Sequence, residues 1–389
     1  MSHLLGKQEQ AVYKIRPLDR LFLKGADSND AGINFHTKSI FPPYPSSYGG
    51  LFQNLLNLSA RDLSINWNGL LYDNEPIYPL PLDIAISGAP TNDSAGVRVP
   101  YHVLDLSPTP VSHLSLPYIF SNPSKKVNSE EVKRWSREAG KAVGFLTETM
   151  DQYLEGDSKC LYGQSFESEL IFEEHTGIAI NTQTGVAETG LWYTQESVRL
   201  GERFNLGVEI TKGHRRISPS IVPLGGDRRQ VHISQTDVKF PDAGDVEDYF
   251  KLYLATPAIF KHGIFPRWID PDTLIGTFSY RKRKVKVKLL AAAIGKPGTV
   301  GSFDLQKNKP LPTQVAVPAG SVYYFKLVEG NPNDAIALFH RKNISDYRIR
   351  LNYDYPWYTR TTYCDRGYGH CFVGNLMEAQ LKFIRKREG

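Results

Sequence analysis

Between Ile15 and Leu58 the chain writes a strand, a proline block and a helix start in that order, so the fold must begin with a β-to-α handover. Ile15, Leu18, Leu21, Phe22 and Leu23 make an apolar run of strand length that stops at Gly25. Pro42, Pro43 and Pro45 interrupt regular structure, because proline lacks an N–H and fixes φ. Ser46 or Ser47 is then placed to cap a helix, and Gly49 and Gly50 remove side chains from its first turn. The exposed N–H groups of such a start suit a phosphate. The same residues also describe a capped helix with no ligand, which is the commoner case.

The chain has 389 residues, long enough for two ordinary cores, and two domains are expected, over residues 1–244 and 245–389. With 41% hydrophobic and 22% charged residues the chain should fold. The net charge of +5 is modest, so a site for a polyanion has to come from local clusters of cations. Cys160, Cys364 and Cys371 are too few for a disulfide framework and fit a reducing compartment. No run approaches the roughly 18 apolar residues of a membrane span. A cytoplasmic protein without a membrane partner is expected.

Residues 60–125 are rich in Pro, Asn, Asp, Ser and Gly and read as an irregular insertion carrying a few short strands, part of a larger inserted region over about 60–160. From Asn128 a capping-box spacing to Glu131 and apolar residues at Val132, Trp135, Ala139, Val143 and Leu146 predict an amphipathic helix, whose basic residues mark a solvated face. Ser165 to Ile210 reads as strands, with a long exposed loop or hairpin over Val186–Thr194. The later segments DYFKLYLATPAIF, RKRKVKVKLLAAAIG, VAVPAGSVYYFKLV, DAIALFHRK and GYGHCFVGN read strand, strand, strand, helix and strand. That order predicts an α+β fold with a ferredoxin-like βαββαβ unit in the second half. The first half fits the same unit, with strands at Ile15, near Ile171, near Leu206 and near Val231, and a weak or missing second helix.

Several segments are candidates for polyanion contact. In RKRKVKVK, Lys284, Lys286 and Lys288 alternate with Val285 and Val287, so one strand face is a row of ammonium groups. Lysines on an edge strand also prevent aggregation without binding anything, but six basic residues in Arg281–Lys288 exceed that need. The basic turns GHRRISPS and LGGDRR bring His214, Arg215, Arg216, Arg228 and Arg229 beside glycines that let backbone approach a ligand. Either turn can cradle phosphates or be an ordinary solvated loop. Gly367, Tyr368, Gly369 and His370 form a glycine-rich turn in which N–H groups can face a phosphate and a base can stack on Tyr368. Cys364, His370 and Cys371 do not have a usual zinc spacing, and no cofactor is expected. No nucleophile elbow, Walker motif or HExxH occurs in the sequence. His36, in the loop before the first helix, stands where a general base for metal-free RNA cleavage could sit, although a loop histidine with no chemistry is far commoner.

Taken together, IRPLDRLFLKG, SIFPPYPSSYGGLFQNLL, TGIAINTQTGVAETGLWYTQESVRL, LGGDRR, LATPAIFKHGIFP, VAVPAGSVYYFKL and GYGHCFVGN resemble the third-subunit family of the type III-B CRISPR Cmr effector complex, within the RAMP superfamily. Lys24, Gly25 and Ala26 stand where that family usually carries an Arg-Asp-Gly-like run. The resemblance implies tandem ferredoxin-like domains with large insertions and a C-terminal glycine-rich loop. It also implies a non-catalytic subunit that holds the 5′ handle of the guide RNA beside the large polymerase-like subunit and the backbone RAMP subunits, touching target RNA only indirectly. RNA-contacting positions are then expected at Lys24, His36, Ser46, Ser47, Arg199, Arg228, Arg229, Lys261, His262, the lysine row and the loop Gly367–His370. The loop around Gly185–Gly190 would be the thumb-like hairpin. The competing expectation is a RAMP endoribonuclease that processes repeat RNA with His36 as base.

Overall fold

The computed structural model describes residues 11–24, 36–59, 62–93, 96–109, 116–121, 142–156, 160–213, 217–304, 309–346 and 363–388. It is a mixed α/β structure, mostly antiparallel strands with few helices. The first strand is Ala11–Pro17, where Ala11, Tyr13 and Ile15 point inward and Arg16 is exposed, the alternation of a half-buried strand. It starts earlier than the apolar run suggested and ends at Pro17. Leu21, Phe22 and Leu23 are buried in the loop that follows.

Ala11–Pro17 lies between Phe204–Lys212 and Gln230–Thr236, with Ile15 opposite both Leu206 and Ile233. Ser64–Tyr72 pairs on the far side of Phe204–Lys212. The sheet then continues through Glu75–Pro79, Val143–Phe145, Leu161–Ser165, Gly96–Val103 and Ile84–Ile86 to eleven strands in all. Two expectations are corrected here. The strands of residues 60–125 belong to the main sheet rather than to an irregular insertion, because SINWNGLLY buries Ile65, Trp67, Leu70 and Leu71. The strand around Ile171 is not in this sheet: Ile171 and Phe172 are exposed on a separate hairpin. The helix predicted from Asn128 lies outside the described residues up to 141, and its last two apolar positions are corrected: Val143 opens the strand Val143–Phe145, and Leu146 is the N-cap of the helix Thr147–Glu155.

The first helix spans Pro45–Leu56 and starts one residue before the serines, since proline is favoured at the first helical position. Tyr44 is its N-cap, with no side-chain cap bond, so Ser46 and Ser47 are inside the first turn and do not cap it. Gly49 and Gly50 fall in the next turn. Tyr48, Leu51 and Phe52 are buried under the sheet, with the Phe52 ring 5.1 Å from that of Tyr13.

The second sheet has the order Ile275–Tyr280, Arg283–Ala293, Val322–Glu329, Tyr249–Leu254, His370–Gly374, Lys342–Asn343. The helix Pro332–Phe339, capped by the Asn331 side chain, packs on one face through Ala335, Leu338 and Phe339. The other face joins the first sheet in one shared core, where Trp67 meets Phe240 at 5.2 Å, Tyr78 meets Phe372 at 5.5 Å and Tyr153 meets Tyr253 at 6.1 Å.

Polar groups are buried in that shared core. Both Asp83 carboxylate oxygens accept from the Tyr153 hydroxyl at 2.9 Å, and one also accepts from Tyr324 at 2.8 Å. The Lys251 ammonium donates to the Tyr153 carbonyl at 2.7 Å and lies 3.6 Å from the centre of that residue's ring. Burial raises the Asp83 pKa and lowers that of Lys251 to about 8. Gln380, on the C-terminal helix Glu378–Glu388, donates to the Tyr324 hydroxyl and to the Leu104 carbonyl. A half-buried ion pair joins Arg341 to the buried Glu209 at 2.6 Å, with Asn66 donating to the other Glu209 oxygen at 2.6 Å.

Next to it, His340 approaches the Pro241 carbonyl through Nε2 at 3.2 Å and accepts from the Val373 N–H through Nδ1. These partners require the neutral ring, and burial pushes its pKa down to about 4. Between about pH 4 and the unfolded value near 6.5 the unfolded chain binds the extra proton, so this contribution is lost as pH falls through that window. Urea midpoints should therefore fall from pH 7 to pH 4.5, by less in His340→Gln than in the wild type. An identical decrease in both would refute the assignment to His340.

Candidate nucleic-acid interface

The long hairpin is made of Leu170–Ile180 and Ala187–Leu200. At its root Leu21 and Val198 exchange both backbone hydrogen bonds. His36–Thr37 adds a short parallel strand beside Thr194–Gln195, Lys24 bridges Ser39, and Gly226 donates to the Phe22 carbonyl. These contacts gather Lys24, His36, Arg199, Arg228 and Arg229, which are distant in sequence, around one root.

Most of the positive charge there is already paired. Arg199 bonds Glu173 and lies 3.4 Å from Asp19, and Arg229 reaches Asp19 at 3.0 Å and Asp227 at 3.7 Å. Arg20 and His175 close the same network on Glu173 at 3.8 and 3.4 Å. The backbone N–H of Arg20, with the arginines around it, lowers the Asp19 pKa, and the bond from Arg199 lowers that of Glu173. Arg199 and Arg229 therefore fix the hairpin to the sheet. Arg228, exposed at φ 50°, and Lys24, also exposed, enter no ion pair among the described residues. His214, Arg215 and Arg216 lie outside the described residues.

The glycine loop is internal. Tyr368 is 1% and His370 0% exposed, so the arrangement leaves no face of Tyr368 for a base to stack on. The Tyr368 hydroxyl donates to Ser46 at 3.3 Å, which puts this loop against the start of the first helix. Gly367 has φ +88°, and a Cβ there would lie 2.6 Å from the Asn68 amide. At Gly369, φ +77°, a Cβ would lie 2.7 Å from the Ser345 nitrogen. Gly367 lets the loop pack closely on the first sheet and Gly369 lets it pack on Ser345, a use of glycine that a GxG pattern does not distinguish from phosphate binding. Burial holds His370 neutral, its Nδ1 3.0 Å from the Asn343 amide oxygen. The Cys364 thiol donates to the Ser345 carbonyl at 2.7 Å, and burial raises the pKa of both Cys364 and Cys371. No group of three or more His, Cys, Asp or Glu residues is placed to hold a metal ion among the described residues.

The basic strand Arg283–Ala293 keeps the expected alternation, with Val285, Val287 and Leu289 buried. It is an interior strand, flanked by Ile275–Tyr280 and Val322–Glu329, so edge protection does not explain its lysines. Lys286 pairs with Glu329 at 2.7 Å. Lys288 faces Lys326, which is bonded to Glu388. Lys284 is exposed and enters no ion pair among the described residues. Lys261 and His262 are exposed on the loop between Tyr249–Leu254 and Ile275–Tyr280.

The profile of the CRISPR-associated protein family Cas_Cmr3 matches residues 13–376. The chain belongs to the Cmr3 family. The segments that carry the resemblance in the sequence thus extend across nearly the whole Cmr3-family chain. No curated protein matches it. Among solved structures, a chain of the type III-B Cmr-beta complex bound to cognate target RNA is similar, with a TM-score of 0.46 and 14% identity, over 80% of this chain and 86% of that one. A chain of the same complex bound to cognate target RNA and AMPPnP has a TM-score of 0.44 and 15% identity, with the same coverage. No helix among the described residues of this Cmr3-family protein is long and apolar enough to cross a membrane.

Proposed function

We propose that this Cmr3-family chain is a non-catalytic RNA-binding subunit of a type III-B Cmr effector complex, anchoring the 5′ handle of the guide RNA and bridging the large polymerase-like subunit to the backbone subunits in antiviral defence. The observation that carries this reading is the family match over residues 13–376. Strand order supports it. In the first sheet Ala11–Pro17, Ser64–Tyr72, Phe204–Lys212 and Gln230–Thr236, numbered along the chain, lie in the order fourth, first, third, second. In the second sheet Tyr249–Leu254, Arg283–Ala293, Val322–Glu329 and His370–Gly374 lie in the same order. That is the order of a split βαββαβ unit, so the two halves are read as tandem ferredoxin-like domains, one keeping its first helix and the other its second. A single-stranded handle held by backbone contacts needs cations on exposed segments, which Lys24, Arg228, Lys261 and Lys284 supply.

The test uses end-labelled repeat-derived RNA in chelator, incubated with the chain alone and with its large partner subunit, on native and denaturing gels. Handle-dependent retention of intact RNA is expected. Arg228→Ala and Lys284→Ala should each reduce the slope of log K against log salt by about 0.7, one phosphate contact on a single strand. Cleavage at one position, abolished by His36→Ala, would replace this reading with a processing endoribonuclease. Binding unchanged in both lysine and arginine variants would leave a subunit that touches only protein.

A further inference from the structure

The loop from Phe260 to Arg267 is built more rigidly than a connection between strands needs. Phe260 bridges Gly263, His262 bridges Phe265, the Tyr323 hydroxyl donates to the Ile264 carbonyl at 2.7 Å, and Trp268 stacks 5.5 Å from Phe339. The loop is closed by Asp346, which is 6% exposed. Its carboxylate accepts the Lys261 N–H at 2.6 Å and the Arg267 N–H at 3.0 Å to each oxygen. Among the described residues Asp346 forms no ion pair, and burial raises its pKa. A carboxylate taken out of water without a paired cation is costly. Here the carboxylate fixes the backbone of two residues whose own cationic side chains are exposed, and the Arg267 and His262 charges offset part of its burial. Lys261, His262 and Arg267 are all exposed, and none enters an ion pair among the described residues. The nearby Asp270 carboxylate is occupied by the N–H groups of Asp272 and Thr273. At Gly263, φ +72°, nothing lies within 4 Å of the place a Cβ would take, so the turn tip is open to an approaching chain.

We propose that this loop is a phosphate clamp for single-stranded RNA, in which Lys261, His262 and Arg267 contact consecutive backbone phosphates and Asp346 is the positioning residue that holds them in register. The clamp rests on the RNA-binding reading above and assigns a part of it. Arg267 and Asp346 become functional residues although neither lies in a recognisable motif. A preset loop loses little conformational entropy on binding, which favours a rigid clamp over free lysines.

The experiment measures anisotropy of labelled handle RNA bound by the full chain with its large partner subunit across a series of KCl concentrations. Lys261→Ala and Arg267→Ala should each lower the salt slope by about 0.7, and the double variant by about twice that. Arg267→Lys should keep the wild-type slope. Asp346→Asn should weaken binding several-fold and lower the slope in the same direction, and Asp346→Glu should recover part of both. A merely structural Asp346 would instead reduce the melting temperature and leave the slope of the folded protein unchanged. If the wild type binds, and Arg228→Ala and Lys284→Ala weaken it while the Lys261 and Arg267 variants keep the full slope, the clamp is wrong and the functional reading stands. If the wild type does not retain the handle at all, both are wrong.

Discussion

Asp83→Ala should cost about 2–6 kcal/mol of folding stability, about 1–3 kcal/mol for each of two buried hydroxyls left without an acceptor. The substitution strands three groups at once. The Tyr153 and Tyr324 hydroxyls lose their acceptor, and the Lys251 ammonium, fully buried, loses a carboxylate that offsets its desolvation. The damage also spreads, because Tyr324 in turn positions Gln380 of the C-terminal helix. Urea unfolding should show a lower midpoint, and the double variant Asp83→Leu/Lys251→Met should recover a large part of the loss by removing both charges. A single-variant loss below about 1 kcal/mol, the worth of an ordinary hydrogen bond, would show that the network does not hold the two sheets together.

Arg341→Met should be destabilising by a similar 3–5 kcal/mol. Glu209 is 1% exposed and depends on the Arg341 guanidinium and the Asn66 amide for its charge. The guanidinium also lies 4.2 Å from the centre of the Phe240 ring, so methionine replaces some of the packing and none of the charge. Glu209→Gln in the same background should restore most of the stability. The pair joins the strand Phe204–Lys212 of the first sheet to the turn after Pro332–Phe339 of the second, so hydrogen-exchange protection in Arg341→Met should fall along both. Loss confined to one sheet would argue against a load shared across the seam.

The elements that the sequence made legible are those whose pattern is local. Val285, Val287 and Leu289 alternate with lysines and form the strand they predict, and DAIALF forms its helix between Pro332 and Phe339. Ser64–Tyr72 was hidden because the prolines, asparagines and glycines around it read as loop, while its partner Phe204–Lys212 lies far along the chain. The hairpin strand at Ile171 has the same apolar content as a core strand, and only tertiary contact decides that Ile171 stays exposed. Parts of the candidate site were hidden for a related reason. Arg199 and Arg229 look free in sequence because Glu173 and Asp19, which neutralise them, are remote. Gly367 and Gly369 needed the distances to Asn68 and Ser345 before close packing could be told from ligand approach.

The position of Ala11–Pro17 inside the first sheet has a consequence for how the protein is made. Its two neighbours, Phe204–Lys212 and Gln230–Thr236, leave the ribosome close to two hundred residues later. At about 5–20 residues per second the first strand waits roughly ten seconds or longer with both edges unpaired. The Tyr368–Ser46 contact closes later still, after more than three hundred intervening residues. Translation speed between the first helix and Phe204, and the chaperones that reach the nascent chain in that interval, thus become determinants of yield, and slowing that stretch should raise aggregation more than slowing any stretch after Thr236.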